Sequence, residues 1–107
     1  MRFVKNLYAG ESVEKKKNLL KWKLLQGRLL IGTYLIALPE NGSDPLEIYH
    51  NSVLKQKYYR KYPPLIVGIA GSFEEAVMLS WKIISDAGEN SEKPDIRAHF
   101  KLQEREA

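Results

Sequence analysis

The run LIVGIAGSFEEAVMLSWKIISDA, residues 65 to 87, constrains the fold more than any other part of the chain. LIVGIA is apolar almost without interruption, the pattern of a strand covered on both faces. Ser72 and Glu75 follow at the S-x-x-E spacing of a capping box, and Glu74 and Glu75 lie in the first turn, where the helix dipole favours negative charge. The spacing predicts a buried strand over 65–70 that turns at Gly71 into a helix over 73–87. Gly68 then falls inside the strand, where a neighbouring side chain such as a Trp packs close.

Glycines between an apolar run and a helix also open phosphate-binding loops, whose free N–H groups and helix dipole attract an anion. Here the spacing is G-x-x-G, with neither the third glycine of G-x-G-x-x-G nor the Lys of G-x-x-x-x-G-K-[ST]. Ser72 and Glu75 satisfy the free donors, and two carboxylates in the first turn repel a phosphate. The stretch is read as a helix start that caps itself.

A second local signal is the hairpin. LLIGTYLIALP and LEIYH flank ENGSDP, a cluster of turn formers holding an Asn-Gly pair, which predicts strands over about 31–38 and 46–50. Before it, VEKKKNLLKWKLLQ is dense in helix formers, with Ser12 as N-cap and Gly27 just past the end, so a helix is expected over 13–26. Val13, Leu20 and Leu24 would form its buried face, with Leu19, Trp22 and Leu25 to either side. A rival reading takes the alternation of Leu20, Trp22 and Leu24 with Lys21 and Lys23 as a strand. FVKNLYA begins with a short strand-like pattern. Asn51 or Ser52 caps a short helix through VLKQKYYRK, stopped by Pro63 and Pro64. GENSEKPD is a loop, and DIRAHFK alternates as an edge strand before a charged tail. The expected architecture is α+β: one domain over 1–101, with a mixed sheet of three to five strands packed by helices 13–26 and 73–87, and a frayed tail over 102–107.

The size suits a single core: 107 residues, 44% of them hydrophobic. The absence of cysteine excludes disulfides, thiolate zinc sites and cysteine nucleophiles, and favours a cytoplasmic protein. The longest uncharged run, 29–39, is too short to cross a bilayer, so no membrane association is expected. Charge is unevenly placed. Residues 1–28 hold eight Lys/Arg against two Glu, whereas residues 63–107 hold five against eight Asp/Glu. This asymmetry suits an anionic partner at one end, or head-to-tail self-association.

Two surfaces are candidates for function. Projected at 100° per residue, the 73–87 helix has an apolar arc wider than a sheet needs, so something besides the sheet covers its margins: the first helix, or a second subunit. Met78, Leu79 and Trp81 are the candidate interface, and the chain is expected to be a homo-oligomer or to bind a protein partner. The other surface is basic and aromatic. Lys55, Lys57 and Arg60 interleave with Tyr58 and Tyr59, and Lys15, Lys16, Lys17, Lys21 and Lys23 extend the charge, as a single-stranded nucleic-acid binder requires. The plain alternative is a solvated amphipathic helix. Catalytic material is sparse: His50 and His99 are the two histidines, and alternation puts Glu47 and His50 on opposite faces. No catalytic, cofactor or metal site is expected.

The blocks LYAGES, YLIAL, LEIYH, LKQKYYRKYPP, VGIAGSFEEAVML and DIRAHF, in that order, resemble a family of small uncharacterised bacterial proteins of about this length. The resemblance implies that the chain is one complete protein. It brings no activity and no functional residues with it.

Overall fold

The computed structural model describes residues 2–38, 46–88 and 100. Strand β1 (Arg2–Ala9) leads through a 3-10 turn (Glu14–Lys16) into helix α1 (Lys17–Leu25). Strands β2 (Tyr34–Leu38) and β3 (Glu47–His50) form the expected hairpin, its turn lying outside the described residues. A second 3-10 turn (Asn51–Lys55) and the short helix α2 (Lys57–Lys61) precede β4 (Leu65–Ala70) and helix α3 (Phe73–Gly88). The fold is α+β. Its mixed sheet has the order β1-β4-β2-β3, with β1 parallel to β4 and the other pairs antiparallel.

β4 and β2 are the two inner strands, both apolar on both faces, and each face of the sheet is covered by helix. A Cβ built on Gly68 would stand 3.2 Å from Ile36 Cδ1 and 3.3 Å from Leu79 Cδ2, so the close neighbours are two aliphatic chains and not an indole. On this face Tyr34 touches Phe73 of α3, and Tyr8 Oη donates to Asp86 Oδ2 at 2.8 Å. Leu35 and Tyr49, one step along their strands, face the other way. There Tyr49 meets Tyr59 of α2, and Tyr59 shares a cleft with Leu24 of α1. Thus α1 and α2 lie on one face of the sheet and α3 on the other. Leu35, Ile36, Ile66, Val67, Ile69 and Ile83 are fully buried between them, each contributing roughly 2 kcal/mol of transfer free energy.

Helix α1 decides between the two readings of its segment. It ends in a Schellman motif: Arg28 N–H donates to Lys23 O, Gly27 N–H donates to Leu24 O, and Gly27 has φ +84°. Ser12, however, does not cap it; its hydroxyl is drawn to Glu75 at 2.7 Å. Asn51 and Ser52 do not cap the following turn either. The His50 ring accepts from Ser52 N–H, and Asn51 is wholly buried.

The edge strand expected over DIRAHFK is corrected at Phe100, which is helical and buried and sets its ring edge-on to Tyr8 at 6.0 Å. β1 supplies β4 with its second neighbour, so β4 is fully paired without a C-terminal strand, and Phe100 is buried over the α3 face instead. The rest of that segment, His99 and the tail 102–107 lie outside the described residues. α1 lies across the sheet from α3, so it is not the cover expected for the margins of α3.

Candidate interaction surfaces

The glycine loop is sealed from within the chain. Ser72 Oγ accepts from Glu75 N–H at 3.1 Å, the first half of the capping box. The second half takes a different form. The Glu75 carboxylate accepts from Gly71 N–H at 2.8 Å, from Ser12 Oγ at 2.7 Å and from Ser12 N–H at 3.3 Å, clamping the exit of β1 to the start of α3. Partial burial works to raise its pKa, but donation from Gly71 and Ser12 outweighs this, and the group titrates below the usual glutamate range. A Cβ on Gly10 would collide with Glu75 Oε1, so the carboxylate sits against Gly10 and takes the Gly71 N–H that an anion would need.

The face of α3 turned away from the sheet is uncovered in part. Leu79 is 6% exposed, since it packs on Gly68, and is corrected from interface candidate to core residue. Met78 at 74% and Trp81 at 68% exposure stand free of the core, three positions apart on one side of the helix. α1 carries a second exposed apolar stripe at the same spacing, Leu19, Trp22 and Leu25, opposite the buried Leu20 and Leu24. The sequence placed these three beside the buried face; their outward position follows from the way α1 rests on the sheet.

The basic segments share the α1–α2 side of the sheet and meet where Lys55 Nζ donates to Gly27 O. A cleft of about 300 Å³ lies there, lined by Arg28, Lys55, Tyr59 and Arg60 together with Leu24, Leu54, Pro63 and Pro64. Tyr58 sits edge-on to Tyr59 at 5.1 Å and is itself exposed, as is Lys57. The lysines of the first segment diverge. Lys17 donates to Leu7 O and pairs with Glu14, both at 3.4 Å, and Lys21 lies over the Phe3 ring. These two line a groove of about 470 Å³ along β1 with Lys5 and Lys82, where residues 4–7 bulge out of register with β4. Lys15 and Lys16 are exposed in the 3-10 turn, and Lys23 lies in the last turn of α1. Lys5 and Lys82 were not among the sequence candidates, because only the fold brings them beside α1.

Tyr8, in the same groove, is held well above the ordinary tyrosine range, first by burial and then by its bond to Asp86. His50 bonds Ser52 and sits edge-on to Tyr34. Among the described residues no group of three or more His, Cys, Asp or Glu is placed to hold a metal ion, and no helix is long and apolar enough to cross a membrane.

No protein-family model and no solved structure matches the chain. A 55-residue stretch is 33% identical to Protein DltD of Lacticaseibacillus rhamnosus; it takes in 51% of this chain and 13% of that protein.

Proposed function

We propose that the protein is a non-enzymatic interaction module that works by self-association, with the outer face of α3 as a contact surface. The observation that supports this is the pair Met78 and Trp81, largely solvent-exposed on a helix that buries Ala76, Leu79 and Ile83. Covering a large apolar side chain is worth about 1.5–3 kcal/mol, which favours a partner. A cysteine-free chain suits the reducing cytoplasm, where we place it. In sedimentation or light scattering the protein is expected to exceed the mass of one chain as concentration rises. Trp81→Asp is expected to weaken association by about 30-fold or more, the effect of losing a central aromatic anchor, with an unchanged circular dichroism spectrum. A wild-type chain that stays monomeric at high concentration overturns the reading.

The meeting of Arg28, Lys55 and Arg60 beside exposed Tyr58 supports a second reading, a single-stranded nucleic-acid binder. Three phosphate contacts predict that the logarithm of affinity for a labelled oligonucleotide falls with log salt at a slope of about −2. Absence of binding at low salt removes it.

A further inference from the structure

We infer that the self-association is head to tail, the exposed stripe of α1 in one copy packing on the exposed stripe of α3 in the next. This rests on the self-association reading above and adds which two surfaces meet. Each helix offers an apolar strip centred on a tryptophan, Trp22 at 61% and Trp81 at 68% exposure. The helices lie on opposite faces of the sheet, so one copy cannot close the two strips on each other.

Charge selects the pairing. Residues 14–28 carry six Lys/Arg against Glu14, whereas α3 carries three carboxylates against Lys82; of these Glu75 is held by Gly71 and Ser12 and Asp86 by Tyr8, which leaves Glu74 to face a partner. Lys23 stands one turn after Leu19, and Glu74 stands one turn before Met78. Lys82 lines the groove at β1. Packing α1 on α1 would set a dense run of lysines against its copy, whereas α1 on α3 sets lysines against Glu74, and like charges brought together at a contact select against the wrong pairing. A contact between two different surfaces leaves one of each unfilled at the ends, so the assembly grows beyond a dimer unless it closes into a ring.

The experiment mixes two capped variants. Trp22→Asp and Trp81→Asp are each expected to sediment as single chains, and their equimolar mixture as a 1:1 dimer and nothing larger, since one intact surface remains on each partner. The wild-type association is expected to weaken at least tenfold between low and high salt. If Trp81→Asp is monomeric but Trp22→Asp associates like wild type, the contact is α3 on α3: the head-to-tail inference falls and self-association stands. The inference also falls if the two variants stay monomeric when mixed. A wild type that is monomeric at every concentration, as when the chain's own C-terminal segment covers α3, overturns both. Should either Asp variant lose its circular dichroism signal, Lys23→Glu and Glu74→Lys test the same pairing. Each alone weakens association and the two combined in one chain restore it, whereas in an α3-on-α3 contact Lys23→Glu has no effect.

Discussion

Replacing Asn51 by alanine is expected to destabilise the fold by about 3 kcal/mol, lowering the melting temperature by on the order of 15 °C for a domain of this size. Asn51 is fully buried, and its side chain uses both ends on the loop between α1 and β2. Oδ1 accepts from Leu30 N–H at 2.9 Å, while Nδ2 donates to Leu30 O and, at 2.8 Å, to Thr33 O. Its backbone N–H also donates to Thr33 O, at 3.2 Å. Removing the amide leaves both Leu30 groups without these partners, and an abandoned buried polar group costs about 1–3 kcal/mol, more than the net worth of the bond it made. Asn51→Leu keeps the volume and leaves the same orphans, so thermal or denaturant unfolding is expected to place it near the alanine variant. An Asn51→Leu protein as stable as wild type would show that water satisfies the loop.

Glu75→Gln is expected to cost about 1–2 kcal/mol at neutral pH and to flatten the acid limb of the stability curve. Three donations from Gly71 and Ser12 converge on the carboxylate. Hydrogen bonds to a charged group are worth about 1.5–3 kcal/mol when buried, and the figure here is discounted because solvent reaches the group. Since the folded pKa is lowered, the clamp contributes fully above the glutamate pKa of the unfolded chain. That contribution is lost as the pH falls through the depressed folded value. Denaturant midpoints measured from neutral to acid pH should therefore converge for wild type and Glu75→Gln. Gly10→Ala evicts the same carboxylate sterically, and the double variant should cost less than the sum of the singles because both remove one clamp. Additive losses would show that Gly10 and Glu75 act separately.

Much of the fold was legible because its strongest signals are local. The β4–α3 unit, the β2–β3 hairpin and the end of α1 at Gly27 each rest on residues within a few positions of one another: an apolar run and its N-cap, a turn cluster between strands, a glycine at C′. The misreadings are long-range. Ser12 has the chemistry of an N-cap, yet its hydroxyl finds Glu75 sixty-three residues away. Asn51 is as good a cap by composition, but burial turned it into the fastening of a loop. Phe100 follows a strand alternation and is helical, its ring buried against Tyr8 from the opposite end of the chain.

The candidate surfaces divide in the same way. Residue types and periodicity marked the basic segments and the over-wide apolar face of the 73–87 helix, because side-chain chemistry and the 100° turn per residue are written locally. Which of those residues water reaches was decided by packing. Leu79 went inward because Gly68 leaves room beneath it, while Met78 and Trp81 were left outside. Leu19, Trp22 and Leu25 were turned out by the seating of Leu20 and Leu24, and Lys5 and Lys82 were carried to the side of Lys17 and Lys21 by the β1 edge. The sequence by itself determined the β4–α3 unit, the hairpin and the charge asymmetry between the first quarter and the last third. Only the tertiary structure set α1 and α3 on opposite faces of one sheet, because the side a helix takes depends on contacts between segments far apart in the chain.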